Sequence, residues 1–424
     1  MMQTVQRETF WMISSDYRIL LYILAAITMG IFFYGFYRRV RLWKKGVKEK
    51  IIWNDVKTNF KYFMEMAVEQ KKVKRDRLYG FMHRFTSYGF VILFIGTCLV
   101  VVDYDFGIPI LRGNFYRIYE LVLDIFGVLF LVGLGMAMVV RAKKQRPRLR
   151  HRMADQAFLW LLFLIGIGGY LLEGIRLAET QVSHGVWSPI GYGLSLLFRG
   201  NPLFGAEAYP LWWLSHAILA FALIAIIPYT KLLHFITAPI NILFQPVKRT
   251  GKIALPYNLM DMTEEQRFDS MNIQGVNKIT DFTNWQLLST DACTECGRCD
   301  NQCPAHNSGK PLSPRSIVTK VRDHMHQDQE IVSFIAPEEL QSCTTCGACV
   351  EACPVSINHI DLILSMRRGL IQNLVIEQEA ENTLLKLEEQ QNVFGKPWSE
   401  RANWSRGLNI PVLDADEKNK KEGA

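Results

Sequence analysis

Residues 293–304, CTECGRCDNQCP, place four cysteines at the spacing Cys-x2-Cys-x2-Cys-x3-Cys-Pro. The same spacing returns in residues 343–354, CTTCGACVEACP, and the two runs hold eight of the nine cysteines in the chain. Three thiolates two residues apart can surround one iron–sulfur cube, while the fourth, before proline, points away from it. The spacing therefore predicts two [4Fe–4S] clusters and a chain that moves electrons one at a time.

The fourth cysteine of each run is predicted to bind the other cluster, as in two-cluster bacterial ferredoxins. The predicted ligands are Cys293, Cys296, Cys299 and Cys353 for cluster 1, and Cys343, Cys346, Cys349 and Cys303 for cluster 2. Zinc normally uses two Cys-x2-Cys pairs, and disulfide frameworks belong to small secreted domains, so both alternatives are disfavoured. The ninth cysteine, Cys98, lies alone in an apolar segment and is expected to be a packed small hydrophobic residue.

Five apolar segments precede the cysteine runs, and each is near the ~20 residues that a helix needs to cross a bilayer. They cover residues 17–37, 80–102, 117–140, 154–176 and 209–232. Lipid offers the backbone no hydrogen-bond partners, so these segments are assigned as helices. The predicted fold class is all-α, a five-span transmembrane helical bundle followed by a mainly helical dicluster ferredoxin domain. The predicted divisions are a membrane domain 1–245, a linker 246–285, a cluster domain 286–370 and a tail 371–424.

Lysine and arginine are concentrated after the first and third spans, in residues 38–50, 71–77 and 141–152. The positive-inside rule then places the N-terminus outside and the cysteine region in the cytoplasm of a bacterial or archaeal cell. A reducing cytoplasm also suits thiolate ligands. The net charge of +8 follows from this topology. The basic runs flank spans and belong to no recognisable binding module, so no nucleic-acid partner is expected.

Three histidines predict haem b. His216 and His234 are 18 residues apart in and after the fifth span, which is five helical turns, so both are expected on one helix face about 27 Å apart. His83 lies at the inner end of span two, level with His234. Ionisable residues in a membrane are costly and indicate function, so His83 and His234 are the predicted ligand pair. The alternative is that each histidine only forms hydrogen bonds at an interface.

The partner of His216 stays open. Leu93 stands where a second ligand on span two would face it. His184 in the outer loop could reach it, or His216 could serve a quinone, so one haem or two are both compatible with the sequence. Pro228 between His216 and His234 is a candidate kink that weakens the shared-face argument.

Three further features have simpler expectations. Residues 50–74 are expected to form an amphipathic helix at the cytoplasmic interface, without chemistry of its own. A short surface helix is expected around residues 187–198. Glu173 and Arg176 are one turn apart, and an interfacial salt bridge is favoured over a proton or quinone contact. His151 is expected to be solvated in the inner loop.

The membrane residues resemble the γ subunit of respiratory nitrate reductase, a five-span cytochrome b. Its pattern of two haem histidines on span two and two on span five matches His83, His216 and His234, and departs at Leu93. Residues 294–318, TECGRCDNQCPAHNSGKPLSPRSIV, and 343–361, CTTCGACVEACPVSINHID, resemble heterodisulfide-reductase-related iron–sulfur proteins. Two further segments are residues 227–241, IPYTKLLHFITAPIN, and residues 392–413, NVFGKPWSERANWSRGLNIPVL. Together with the cysteine runs, they make the chain similar to membrane electron-transfer flavoprotein:menaquinone oxidoreductases.

This resemblance implies electron transfer from electron-transfer flavoprotein, through a CCG-domain iron–sulfur subunit, two clusters and haem b, to menaquinone. Fused family members continue into CCG domains, but no cysteine follows Cys353 here. A separate CCG subunit is therefore expected, with loss of these domains as the alternative. The tail, which contains Pro397, Trp398, Trp404 and Pro411, is expected to dock that partner or to be an ordinary terminus disordered over its last ten residues.

Two other functions stay open. The chain could pass electrons from menaquinol to a heterodisulfide or sulfur acceptor, or it could be a non-catalytic membrane anchor with structural clusters. The eight predicted ligands favour electron transfer over anchoring.

Overall fold

The computed structural model describes residues 5–49, 53–143, 153–181, 183–245, 275–373, 375 and 378–410, and the regular structure of these residues is helical. The membrane half contains α1 Ser15–Trp43, α2 Trp53–Phe63, α3 Lys71–Lys74, α4 Arg77–Tyr104, α5 Gly113–Ala142, α6 Met153–Thr180, α7 Pro189–Phe198, α8 Tyr209–Ile226 and α9 His234–Phe244. The cysteine half contains α10 Asn284–Asp291, α11 Arg298–Gln302, α12 Pro304–Asn307, α13 Pro314–His324, α14 Pro337–Gln341, α15 Ala348–Ala352, α16 His359–Gln372 and α17 Gln378–Gln390. His151, Pro411 and the last ten residues lie outside the described ranges.

The five predicted spans are confirmed as α1, α4, α5, α6 and the segment Tyr209–Tyr229, each long and apolar enough to cross a membrane. The helices extend a few residues beyond most of the predicted limits. Ile19, Ile23 and Ile27 recur one turn apart along α1 and are 52–59% exposed, as expected of a helix face in contact with lipid. The short surface helix between spans four and five is α7.

Cys98 is not a packed residue, because it lies on the exposed side of α4. Its neighbours on this face, Phe94 and Val101, are also exposed. An apolar residue on a membrane helix need not be buried in protein, since lipid is an apolar environment too.

The fifth span does not continue as one helix to His234. Helix α8 ends at Ile226, and two 3₁₀ turns, Ile227–Tyr229 and Lys231–Leu233, separate it from α9. Pro228 lacks a backbone N–H, and Thr230 has extended backbone angles, φ −133° and ψ 176°. The prediction that His216 and His234 share one helix face is therefore wrong, and the rise of about 27 Å does not apply.

The predicted amphipathic helix over residues 50–74 is also interrupted. Within its described part, α2 passes into a π-helical turn, Met64–Val68, and the chain then reverses at Gln70, which has φ +55°. Instead of lying free on a membrane surface, α2 packs against α9 and the cysteine half. Asn59 donates to the carbonyls of Leu243 and Gln245, and the Tyr62 hydroxyl lies 3.0 Å from that of Ser356.

The cysteine half has a hydrophobic core that extends into the membrane half. Trp43 at the end of α1 and Leu233 before α9 are buried in the same cluster as Phe282 and Leu287. Residues 275–285, at the end of the predicted linker, contribute Val276, Ile279 and Phe282 to it. The two halves are therefore joined by shared apolar packing.

Asp291 fixes the end of α1 to this core. Its carboxylate is buried and accepts hydrogen bonds from Arg39 and from the Trp43 indole N–H, the latter at 2.7 Å. The chain after α1 then pairs with the cysteine half, since Val47 N–H donates to the Phe282 carbonyl at 2.8 Å. A Cβ on Gly46 would lie 2.4 Å from the same carbonyl oxygen, so only glycine allows this close approach.

Replacing Asp291 with alanine is expected to weaken the docking of the two halves. The buried Trp43 N–H would lose its acceptor, which costs roughly 1–3 kcal/mol in the free energy of unfolding. The thermal unfolding midpoint of the detergent-solubilised protein measures this loss. Asp323→Ala is the matched control, because that side chain is 54% exposed. An equal midpoint shift in both variants would contradict the docking role.

Candidate iron–sulfur and haem sites

The two cysteine loops have the same backbone shape. Glu295 and Thr345, at matching positions, have φ of +58° and +54°, and Gly297 and Gly347 have φ of +70° and +78°. These left-handed residues turn each loop back on itself, so that successive cysteines face one centre. In each run a short helix, α11 or α15, follows and ends at the fourth cysteine.

The first quartet surrounds one cavity. Cys293, Cys296, Cys299 and Cys353 all line it, with Arg298, Arg315 and His359. Burial raises the pKa of Cys293 to about 12 and that of Cys353 to about 11, and a charge on Cys296 raises both. The structure therefore brings Cys353 to the three cysteines of the other run, as the crossed assignment requires.

The second quartet converges in the same way. Burial, together with charges on Cys343, Cys303 and Cys346, raises the pKa of Cys349 to about 12. Burial also raises the pKa of Cys343, with Cys303 and Cys346 again contributing. Cys303 thus lies with the cysteines of the second run.

The donor chemistry of both quartets fits [4Fe–4S] clusters. Four sulfur atoms are soft ligands that bind iron as thiolates, and bound iron offsets the cost of the buried negative charges. Backbone N–H groups support them, since Ile357 donates to Cys353 Sγ and Thr345 to Cys343 Sγ, each at 3.4 Å. Among the described residues, no three His, Cys, Asp or Glu side chains are grouped closely enough to hold a single metal ion.

His83 and His234 are brought together at the end of the bundle that faces the cysteine half, close enough to interact electrostatically. His83 Nδ1–H donates to Gln70 Oε1 at 2.9 Å. The Gln70 side-chain amide donates in turn to the Ser87 hydroxyl at 2.8 Å, which fixes its oxygen toward His83. Gln70 is itself buried, so the packing around it holds this support in place.

His234 is held in the same tautomer. Its Nδ1–H donates to the Lys231 carbonyl at 2.6 Å. Both histidines therefore keep Nε2 as the lone-pair atom, which is what a metal-ligating imidazole needs. Phe90 and Phe235 stack beside the pair with ring centroids 5.0 Å apart. These residues fit haem b, which His83 and His234 would hold.

The first cysteine loop contacts Lys231, the hydrogen-bond partner of His234, and the short helix that follows Gln70, the hydrogen-bond partner of His83. The Lys231 ammonium lies 3.1 Å from Asp155 and 3.5 Å from Glu295, which stands between Cys293 and Cys296. On the other side, Arg298 of the same loop donates to the Lys72 carbonyl at 2.6 Å and the Val73 carbonyl at 3.3 Å, in the short helix that begins after Gln70.

The side chain of His216, on α8, packs against a glycine-rich face of α6. A Cβ on Gly168 would lie 2.9 Å from His216 Nδ1, and one on Gly169 would lie 3.8 Å from Cε1. The Ile165 carbonyl lies beside the ring, but Nδ1 makes no hydrogen bond of good geometry. The role of His216 as a haem ligand stays a prediction.

Glu173 and Arg176 form the expected ion pair at 2.9 Å, but Arg176 is buried and not snorkelling at an interface. The pair belongs to a larger polar cluster with Glu120 and His184. Here His184 packs against the ring of Tyr116, with centroids 5.6 Å apart.

Sequence reasoning missed the supporting residues Gln70, Lys231, Glu295 and Arg298. Each is an ordinary polar residue whose partner lies in another element. Only Arg298 and Glu295 carried a signal, because they stand between predicted ligands. Gln70 and Lys231 carried none.

A five-span bundle joined to two four-cysteine loops defines a membrane-anchored iron–sulfur oxidoreductase. Residues 110–250 match the family model of the nitrate reductase gamma subunit, and residues 289–357 match that of a 4Fe–4S dicluster domain. The second match supports two 4Fe–4S clusters, and the first suggests haem b.

The chain is related to named oxidoreductases. It is 28% identical to the EtfAB:quinone oxidoreductase of Syntrophomonas wolfei subsp. wolfei, over 95% of this chain and 62% of the relative. It is 27% identical to the "Probable iron-sulfur-binding oxidoreductase FadF" of Bacillus subtilis, over 96% and 63%. It is 26% identical to a subunit of the dihydromethanophenazine:CoB–CoM heterodisulfide reductase of Methanosarcina mazei, over 52% and 90%.

The chain spans a little over three fifths of the length of the first two relatives. No solved structure matches it.

Serine substitutions test the crossed cysteine assignment. Cys353→Ser is expected to disturb the same cluster as Cys296→Ser, because both thiols belong to the first quartet. Cys303→Ser is expected to behave like Cys346→Ser. Iron and sulfide content and the EPR spectrum of the reduced protein report which cluster changes. If Cys353→Ser altered the same EPR signal as Cys346→Ser, the crossed assignment would be wrong.

Gln70→Leu is expected to raise the haem midpoint potential by roughly 20–60 mV. The hydrogen bond to His83 increases the basicity of the imidazole, and a net hydrogen bond is worth about 0.5–1.5 kcal/mol, where 59 mV is a tenfold change for one electron. Gln70→Glu keeps an acceptor of greater strength and is expected to lower the potential. A redox titration followed by haem absorbance measures both, and equal shifts in one direction would exclude the hydrogen bond as the cause.

Proposed function

We propose that the chain is a membrane-bound electron-transfer subunit that passes electrons between a cytoplasmic donor and menaquinone through two [4Fe–4S] clusters and haem b. When bound, these groups supply one-electron chemistry. The residues of the chain hold the groups, exclude water and set their potentials through hydrogen bonds and burial.

The observation that carries the proposal is that the first cysteine loop contacts the residues that position the inner histidine pair. Glu295 lies against Lys231, whose carbonyl holds His234. Arg298 of the same loop holds the helix that follows Gln70, the partner of His83. A structural cluster in a simple anchor would not need its ligand loop at both supports of a histidine pair.

Exposure favours the second loop as the point of electron entry. Cys346 is exposed, and Thr344 beside it is exposed too. In the first loop, Glu295 and Gly297 are buried. Electrons from a soluble donor would therefore arrive at the second quartet, pass to the first quartet and then reach the inner histidine pair.

Electron-transfer flavoprotein, acting through a CCG-type iron–sulfur subunit, is the proposed donor. The name of the Syntrophomonas wolfei relative, EtfAB:quinone oxidoreductase, supports this choice. The tail offers a docking surface, since Phe394 and Trp404 are 77% and 72% exposed. In the proposed orientation the N-terminus is outside and the cysteine half is cytoplasmic.

A second direction is supported by the similarity to the heterodisulfide reductase of Methanosarcina mazei. In that case menaquinol would reduce the haem, and electrons would leave through the clusters to a heterodisulfide or sulfur acceptor. The ligands and contacts are the same for both directions, because direction depends on the potentials of donor and acceptor.

The proposal is tested with the purified protein and reduced electron-transfer flavoprotein, with and without a CCG-type subunit. The haem is expected to become reduced, as followed by absorbance, and then to be reoxidised by a menaquinone analogue. His83→Ala is expected to lose one haem, because it removes a proposed axial ligand. His306→Ala is the matched control and should keep the haem, because His306 lies in the cysteine half and its Nδ1–H donates to the Leu312 carbonyl.

Each other outcome has a defined meaning. Haem that is reduced by menaquinol but not by the flavoprotein would favour the second direction. The electron-transfer proposal would be rejected if the reduced-minus-oxidised spectrum had no haem b band, or if neither a quinol nor the donor reduced the haem. The remaining function would then be that of a membrane anchor with structural clusters. Unchanged haem content in His83→Ala would reject this ligand.

A further inference from the structure

The end of the bundle away from the cysteine half contains a buried group of ionisable residues. Tyr116 and Glu120 come from the first turns of α5, Arg176 from the last turns of α6, and His184 from the 3₁₀ turn Ser183–Trp187. All four side chains are at most 9% exposed. Burying ionisable groups in a membrane protein costs free energy, so a cluster of four such groups indicates a functional role.

The charges in direct contact do not balance. The Arg176 guanidinium lies 2.9 Å from Glu173 and 3.3 Å from Glu120. One cation therefore serves two carboxylates, and Glu173 also accepts from the Ser188 hydroxyl at 3.3 Å. A bound proton on the Glu120 side would neutralise the remaining charge.

Three buried polar atoms of this group lack a hydrogen bond of good geometry: Glu120 Oε2, His184 Nε2 and the Tyr116 hydroxyl, the last of which lies close enough to Glu120 to interact with it. His184 Nε2 lies 3.9 Å from the other Glu120 oxygen. Such atoms are rare in native structures, and several together indicate a ligand that the side chains share. A carboxylate facing an imidazole nitrogen can share a proton directly or through one water.

From these contacts we propose that Glu120 and His184 form a proton-exchange site between the aqueous phase at this end and the membrane interior. The 3₁₀ turn that carries the buried His184 reaches the surface at Val186, which is 61% exposed, so His184 is the outer member of the pair and Glu120 the inner one. This inference rests on the proposed function, because reduction of a quinone by two electrons takes up two protons, and oxidation of the quinol releases them.

Helix α6 connects this site to the surroundings of His216. Along α6, Gly169 beside His216 precedes Arg176 by seven residues, about 10 Å at 1.5 Å per residue. Tyr170 follows Gly169 and donates to the Asp124 carbonyl, one turn after Glu120. The Asp124 carboxylate is not free for proton exchange, since it accepts from the backbone N–H groups of Ile190 and Gly191 at 2.9 and 3.2 Å.

Other charged and titratable groups surround the pair and define the pH response. They are Tyr116, Arg117 and Tyr119 on α5, Glu173 and Arg176 on α6, Arg7 before α1, and Tyr209 on α8. Arg7 and Arg176 stay charged at all accessible pH values, and Glu173 is already paired with Arg176 at 2.9 Å. A change in the pH profile that appears in both the Glu120 and the His184 variants therefore reports this pair.

The test uses the full chain in liposomes with menaquinone, the variants Glu120→Gln and His184→Asn, and a pH indicator in each compartment. Both variants are expected to keep the haem and its reduction by the donor, but to slow quinone turnover roughly 10²-fold, as loss of a positioned acid–base group does. In both variants the rate of quinone turnover should no longer depend on the pH of the compartment that faces Glu120 and His184. Glu120→Asp is expected to restore part of the rate.

Glu179→Gln is the matched control, because Glu179 is an exposed carboxylate at the same end of α6. An infrared difference spectrum of the reduced against the oxidised protein gives a readout that does not depend on turnover. A carboxyl band that Glu120→Gln removes and Glu179→Gln keeps would support the site. If Glu120→Gln does not fold, His184→Asn is measured instead. A changed carboxyl band and a changed pH profile in His184→Asn would support the site, and an unchanged band and profile would oppose it.

Wild-type pH profiles and an unchanged carboxyl band in both variants would overturn the proton site. Failure of the wild-type protein to exchange electrons with menaquinone would instead overturn the proposed function. The two failures are thus distinguishable.

Discussion

The docking of the first cysteine loop on the end of the bundle that carries His83 and His234 is the constraint on which the rest of the structure depends. Apolar packing brings Trp43 and Leu233 into the core of the cysteine half. Asp291 then orients the end of α1, and the Glu295–Lys231 and Arg298–Lys72 contacts fix the loop above the histidine pair. Packing supplies most of the association, and these polar contacts select one orientation.

The same contacts explain why the fifth span is broken. If the helix that begins at Tyr209 were continuous, His234 would lie on the same straight helix as His216. The break at Pro228 and Thr230 lets α9 turn under the bundle, where Thr237 donates to the Asp291 carbonyl and Asn241 to the Val355 carbonyl. The irregular backbone thus belongs to the interface between the two halves, where protein groups satisfy its hydrogen bonds.

Much of the architecture could be predicted from the sequence because its signals are local. The five spans follow from apolar runs of bilayer length, and the two four-cysteine runs follow from spacings within twelve residues. The shared face of His216 and His234 failed for a physical reason, since helix periodicity holds only while the backbone hydrogen bonds continue. Cys98 was misjudged because an apolar residue in a span can face either protein or lipid.

By itself the sequence determined the membrane helices, the two four-cysteine runs and the candidate histidines, because each depends on residue type and short-range spacing. Only the tertiary structure decided which cysteine loop meets the histidines, that Gln70 and Lys231 hold them, and that Glu120 meets His184. These partners lie in different elements. Their meeting depends on where helices end and how they pack, which no spacing along the chain encodes.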